Sequence, residues 1–237
     1  MQSFSEAAEK NKNHILLVLQ EWLPTHARVL EIGSGSGQHA LHMAAEMKSI
    51  TWQPTERSEG MHDLTKNLSD YGFPNILKPL MLDLSSERWP NVDTNCVYSA
   101  NVMHIVKENL GANLIRGVGD NLAEGGLLIL YGPYKYGGDF TTQSNADFDA
   151  WLKERNPHSG IRDFEWVNDL ADQHGLSLQA DLSMPANNQI LIFQNWPSNR
   201  TGSPIQNTFS KNNSNEKNPV PDMVYFGPSR LEKETVK

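Results

Sequence analysis

A single cysteine, Cys96, stands among 237 residues, which excludes an intramolecular disulfide and any metal site built from several cysteines. That scarcity fits a reducing compartment. Within the apolar run CVYSA the lone thiol reads as a small buried core residue. Long apolar runs are missing too. None reaches the roughly 18 residues that cross a bilayer, and the opening MQSFSEAAEKNKNH lacks the apolar core of a signal peptide. The expected location is cytoplasmic, with no membrane partner. Positive charge is also scarce. The formal net charge is −8, and the stretch from Ser198 onward holds six Lys/Arg against four Asp/Glu, which leaves −10 on residues 1–197. With no basic surface and no interleaving of basic and aromatic residues, nucleic acid is not an expected partner.

What is present is a regular alternation of strand and helix signals. Ile15, Leu16, Val18, Leu19, Trp22 and Leu23 recur at helical spacing, so residues 5–23 should form an amphipathic helix that Pro24 closes. Strands are expected at Arg28–Ile32, Ile50–Gln53, Ile76–Leu82, Cys96–Ala100 and LLILYGP. Pro79 marks the third as an edge strand or a bulge. Helices are expected at Gln38–Met47, Gly60–Tyr71, Lys107–Leu122, Phe148–Arg155 and Asp163–His174. Leu176–Leu182 and Gln189–Gln194 close the pattern as two strands joined by MPANN. This order implies an α/β fold: a seven-stranded, mostly parallel Rossmann-like sheet with helices on both faces. The last connection is too short for a parallel crossover, so one strand of the C-terminal hairpin must run antiparallel. Residues 1–197 should form this domain. Residues 198–237, rich in Asn, Ser, Pro and Lys, should form a disordered tail with one apolar patch, MVYFGPSRL.

The chemistry lies in VLEIGSGSGQHALHMA, where a strand runs into Gly33, Gly35 and Gly37 and a helix follows. A P-loop needs Lys and a hydroxyl residue after its last glycine, and here Gln38 and His39 stand there. The dinucleotide fingerprint G-x-G-x-x-G rests a pyrophosphate on the helix N-terminus. The present loop, G-x-G-x-G, is one residue tighter. Glu31, two residues before Gly33, would repel a pyrophosphate and suits a cationic ligand. S-adenosyl-L-methionine (AdoMet) is such a ligand, with a sulfonium, an amino group and no phosphate. E-x-G-x-G-x-G after a first strand is the signature of class I methyltransferases.

Three further positions suit the same cofactor. Glu56 ends the second strand and can accept both ribose hydroxyls, a role an acid there also plays with NAD. Asp83, in LMLDL, can accept from the adenine amino group or serve as a turn or cap residue. Asn101, ending the fourth strand in SANVMHI, lies where class I enzymes line the methionine and methyl-transfer region. The cofactor set is therefore Glu31, Gly33, Gly35, Gly37, Glu56, Asp83 and Asn101. The acids and Asn101 fall at the carboxyl ends of strands, the edge where open α/β sheets bind ligands.

KNKNHIL, TWQPTE, NVMHI, LYGPYKYGG, SNADFDAWL, GIRDFEWV and MPANNQILIF, together with the glycine segment, resemble the methyltransferase-like 26 family across residues 5–196. The resemblance implies the seven-strand methyltransferase fold and AdoMet binding, and no particular substrate. Methyl transfer is a displacement from an activated leaving group, so positioning of the nucleophile carries much of the rate. A base is needed only where the acceptor must lose a proton. His104 is the candidate base, because an unperturbed imidazole titrates near neutrality; the alternative is a structural histidine at a helix start. Tyr134 and Asn145 either orient an acceptor or stabilise a turn. Asn187 and Asn188 suit the tight turn of the last hairpin. Arg162-Asp163 either binds an anion or caps the next helix. His39 and His42 lie one turn apart without a companion ligand, so no metal is expected. The expected activity is AdoMet-dependent methylation of a small-molecule acceptor. Two alternatives stay open: an NAD-binding Rossmann oxidoreductase, disfavoured by Glu31 and the tight loop, and a non-catalytic AdoMet-binding interaction protein.

Overall fold

In the computed structural model, which describes residues 1–196, α1 (Glu6–Trp22) opens on Ser5, whose hydroxyl accepts the Ala8 N–H at 3.2 Å. The tail expected from Ser198, MVYFGPSRL included, lies outside the described residues. After α1 come β1 (Arg28–Ile32), α2 (Gln38–Glu46), β2 (Thr51–Glu56), α3 (Met61–Tyr71), β3 (Leu80–Met81), β4 (Cys96–Ala100), α4 (Glu108–Asn121) and β5 (Leu127–Gly132). An insertion follows, made of β6 (Tyr134–Tyr136), β7 (Asp139–Phe140), α5 (Gln143–Arg155) and β8 (Arg162–Asp163). The chain then completes α6 (Phe164–Gln173), β9 (Leu176–Met184) and β10 (Asn188–Asn195).

The main sheet has seven strands in the order β3-β2-β1-β4-β5-β10-β9. Pairing is parallel from β3 through β5, and β10 runs antiparallel to both its neighbours. The expected fold class is the one observed. Strand order reverses between β1 and β4, and the carboxyl ends of such a pair flank a crevice. Successive strand residues alternate between the sheet's faces. On one face Leu30, Val97, Leu128 and Leu191 pack under α4 and α6. On the other Val29, Trp52, Cys96, Tyr98 and Ile129 pack under α1 and α2. Cys96 is fully buried, and burial pushes its thiol well above the usual range. No helix among the described residues is long and apolar enough to cross a membrane.

Three local departures from the sequence reading have physical causes. The strand expected over Ile76–Leu82 shrinks to Leu80–Met81, because Pro79 has no N–H to give a ladder; Ile76 survives as a single bridge to Trp52. The three-stranded sheet β7-β6-β8 was not foreseen, its strands being two or three residues long and too short to show an alternating period. Helix α5 begins at Gln143, five residues before the expected start, because Thr142 Oγ1 accepts the Asn145 N–H at 3.3 Å as its cap. The hairpin turn does place Asn187 in the left-handed region (φ 58°), as its residue type suggests.

Candidate active site

The glycine loop leaves β1 at the carboxyl edge and turns into α2. Gly33 has φ +74°, and a Cβ there would lie 2.7 Å from Val102 Cγ2, so both conformation and packing require glycine. Gly35, at φ +54°, has no heavy atom within 4 Å of the position a Cβ would take. The tip of the loop is open. Gly37 caps α2 in the left-handed region.

Glu31, on β1, is only 2% exposed. Its Oε2 accepts from the Ser34 hydroxyl at 2.7 Å and from the Trp52 indole N–H at 2.9 Å. Oε1 receives no donor among the described residues. Burial pushes the Glu31 carboxyl up to about 7, against the two hydrogen bonds, with Glu56 adding to the rise. A cation beside Oε1 would reverse that shift. Trp52 and Ser34 were missed in the sequence as parts of the site. The signal that could have found the first is a lone strand tryptophan in register with Val29, two residues before Glu31 on the same sheet face.

Glu56 ends β2 beside this loop. Its Oε2 accepts the Gly35 N–H at 2.7 Å and its Oε1 the Arg57 N–H at 2.9 Å. A Cβ on Gly60 would come within 2.5 Å of Glu56 Cγ, so that glycine makes room for the acid. Asn101 follows β4 with φ 57°, in the left-handed region that asparagine tolerates, and its N–H donates to the Tyr131 carbonyl at 2.8 Å. Asp83 is exposed, two residues past β3. Its Oδ1 accepts from the Ser85 N–H at 2.8 Å and the Ser85 hydroxyl at 2.7 Å, which hold its carboxyl below the usual range. That is the turn geometry weighed for it, with the second oxygen left over. Glu31, the glycines, Glu56 and Asn101 thus meet at the carboxyl ends of adjacent strands β1, β2 and β4.

The three acceptor-side candidates separate. His104 lies past β4, 4% exposed, with its ring packed edge-to-face on Phe148 at a centroid distance of 5.5 Å. Burial, then the nearby Arg162 cation, lowers its pKa to about 4 instead of near neutrality, so the imidazole is neutral at pH 7. Tyr134 lies neither in a turn nor at the open edge but on β6, 1% exposed in the core under α4 and α6. Asn145 is buried on α5, donating through Nδ2 to Thr141 Oγ1 at 2.9 Å and to the Asn187 carbonyl at 3.0 Å. It clamps the insertion to the last hairpin, which is the stabilising role weighed for it.

Asp163 does stand at the N-cap position of α6, but its side chain and that of Arg162 are engaged elsewhere. Arg162 donates to the carbonyls of Met103, Val106 and His158 at 3.2, 2.6 and 2.9 Å, fastening the segment that carries His104. Asp163 starts α6 without a side-chain cap bond and pairs with Lys135 at 3.0 Å. His39 joins a buried chain instead of a metal. Its Nε2–H donates to Asn11 Oδ1 at 2.7 Å and its Nδ1 accepts from the Tyr98 hydroxyl at 3.1 Å, the arrangement of a neutral ring.

The family described as a protein of unknown function, DUF938, matches residues 2–195. The chain belongs to that family. Among solved structures, this DUF938 protein is similar to the S-adenosylmethionine-dependent methyltransferase SibL, with 17% identity, a TM-score of 0.68, and coverage of 81% of this chain and 56% of that one. It is similar to an O-methyltransferase family protein from Burkholderia thailandensis at 14% identity and a TM-score of 0.65, over 81% and 60% of the two chains. It is similar to the mitomycin 7-O-methyltransferase MmcR at 14% identity and a TM-score of 0.67, over 80% and 55%. The chain spans little more than half the length of these structures. At such identities the likeness establishes the fold alone, a Rossmann-like sheet shared with these structures.

Proposed function

We propose that this DUF938 protein is an AdoMet-dependent methyltransferase acting on a small molecule. The observation that supports it most is Glu31, a fully buried carboxylate with one oxygen held by Ser34 and Trp52 and the other without a donor, beside an open glycine loop. Such a group is costly unless a partner compensates it. A ligand with an ammonium and a sulfonium fits it, and a pyrophosphate does not. The motifs resembling the methyltransferase-like 26 family, and the methyltransferases among the similar structures, point the same way.

In this reading Glu31 Oε1 accepts from the amino group of the cofactor. Glu56 turns from Gly35 toward the ribose hydroxyls, Asn101 lines the methionine end, and the free oxygen of Asp83 takes the adenine amino group. AdoMet supplies an activated methyl group when bound. His104 holds the acceptor hydroxyl through a ring nitrogen and takes its proton as the acceptor oxygen becomes methylated. An imidazole with a pKa near 4 is a weak base, but it is unprotonated at neutral pH and needs no prior ionisation. Arg162 keeps that imidazole in place by holding the carbonyls on either side of it.

Titration calorimetry with AdoMet, its product S-adenosylhomocysteine (AdoHcy) and NAD tests the reading. Saturable heats with AdoMet and AdoHcy, and none with NAD, are expected. Tight NAD binding with silent AdoHcy would reverse it in favour of the oxidoreductase. Labelled AdoMet incubated with metabolite pools would then identify the acceptor.

A further inference from the structure

Two buried amides tie the segment before α1 to the glycine loop. Helix α3 buries a narrow stripe, and Asn67 stands in it one turn from Leu64, 1% exposed. On an apolar stripe a buried polar residue is the informative exception. Its side chain pairs with the backbone of Gln2: Oδ1 accepts the Gln2 N–H at 2.8 Å, and Nδ2 donates to the Gln2 carbonyl at 2.9 Å. The same Nδ2 donates to the Ser36 carbonyl, also at 2.9 Å. Gln38, the first residue of α2 and 5% exposed, repeats the pattern on Ser5. Its Oε1 accepts the Ser5 N–H at 2.6 Å and its Nε2 donates to the Ser5 carbonyl at 3.2 Å. That Oε1 also accepts from the Ser36 hydroxyl at 2.9 Å. Each amide grips one residue of the segment through both backbone groups, and Ser36 with the capacity that remains.

Ser36 lies between the open tip at Gly35 and Gly37, which caps α2. Its carbonyl and its hydroxyl therefore link the loop to residues 2–5. Apolar packing holds that segment only in part. Met1 and Phe4 stay 42% and 56% exposed and line, with Leu41, Tyr71 and Phe73, a cavity of about 530 Å³. The Ser3 hydroxyl adds an exposed bond to Asp63, and Ser3 itself has φ 51°, where residues other than glycine are uncommon. A segment with exposed apolar side chains and one strained residue belongs to the parts of a fold that open well before the core does. When it lifts, both amides lose their partners in it and Ser36 loses its backing.

We infer that residues 2–5 are a strap on the cofactor loop, with Asn67 and Gln38 as the positioning residues that transmit its hold to Ser36. The inference rests on the AdoMet reading of that loop. With the strap down the loop is set for the cofactor, and with the strap lifted it is not. By linkage, a loop that binds cofactor better under the strap must also hold the strap more firmly once cofactor is bound.

Hydrogen exchange at the Gln2 and Ser5 amides, followed by NMR on the full chain, reads the strap directly. Saturating AdoHcy should slow exchange at both by about fivefold or more, the lower end of the usual coupling between sites. Gln2→Pro removes the N–H that Asn67 accepts. This variant and Asn67→Leu should each weaken AdoHcy by a similar factor in calorimetry below their melting temperatures. The double variant should bind no more weakly than Asn67→Leu alone, because Gln2 reaches the loop through that amide. Residues that serve stability alone would shift melting and leave the affinity and the exchange rates as they are. Exchange unmoved by AdoHcy, an unchanged affinity in Gln2→Pro, or effects that multiply in the double variant would each overturn the strap. Should Asn67→Leu not fold, the wild-type exchange and Gln2→Pro decide. Failure of AdoHcy to bind the wild type would instead remove the methyltransferase reading. Exchange at the Gly35 and Gly37 amides then tests the strap by itself: about fivefold faster in Gln2→Pro supports it, and no change overturns it.

Discussion

Glu56 Oε2 accepts the backbone N–H of Gly35 at 2.7 Å, so the acid that ends β2 grips the open tip of the glycine loop. The bond holds the carboxylate against the loop, and in the proposed reading the acid leaves Gly35 to take the ribose hydroxyls of the cofactor. Glu56→Ala should lose up to two charge-assisted bonds to that ribose, each worth roughly 1.5–3 kcal/mol. Calorimetry should then find AdoHcy binding weaker by about tenfold or more. Unchanged affinity would leave Glu56 with the loop as its only task.

The titration of Glu31 predicts a pH signature. Its carboxyl rises from 4.5 to about 7 on folding, so between those values the folded chain keeps a proton that the unfolded chain has lost. The Glu31 contribution to stability is therefore complete below about pH 4.5 and is lost as pH rises through about 7. Glu31→Gln keeps an acceptor for Ser34 and Trp52 without the charge. It should melt above wild type at pH 8, with the gain shrinking toward pH 5. Binding of the cationic cofactor should weaken in the wild type as pH falls below about 7, and should be weak and nearly pH-independent in the variant. A wild-type affinity that is flat from pH 5.5 to 8.5 would count against Glu31 as the cation's partner.

Gly33→Ala tests the loop's geometry. The substitution adds a Cβ 2.7 Å from Val102 Cγ2 at φ +74°, and a residue held in a sparsely populated region costs about 1–3 kcal/mol. Urea denaturation should show a loss of at least that size. Adding Val102→Ala should restore the part due to the clash and leave the part due to φ.

His104→Gln tests the base. Turnover should fall by roughly 10²-fold, the usual scale for a lost general base, with AdoHcy affinity nearly unchanged. Because burial holds this imidazole at about 4, the wild-type rate should show no His104 ionisation between pH 6 and 9 and should decline only as pH approaches 5 and below. A mutant that turns over like wild type across this range would make His104 structural, with catalysis resting on positioning.

Local signals in the sequence determined the elements and the edge on which the candidate cofactor residues lie. The strands Arg28–Ile32 and Cys96–Ala100 match residue for residue, because apolar runs bounded by turn residues act over a handful of positions. The positions of Glu31 and Asn101 followed from them, and that of Glu56 from the end of the second strand, since the carboxyl end of a strand in a parallel sheet is also a place in space. The tertiary structure decided everything that depends on a partner far along the chain. Trp52 reaches Glu31 across 21 residues, Asn187 receives Asn145 across 42, and Arg162 holds Met103 across 59. His104 was legible as a histidine near the strand ends, but not as a neutral one, because its burial comes from Phe148 and the strand end at Gly132. Periodicity and caps are set within one or two turns of chain. Burial, ionisation and hydrogen-bond satisfaction are properties of the packed sheet, and only folding supplies the neighbours that fix them.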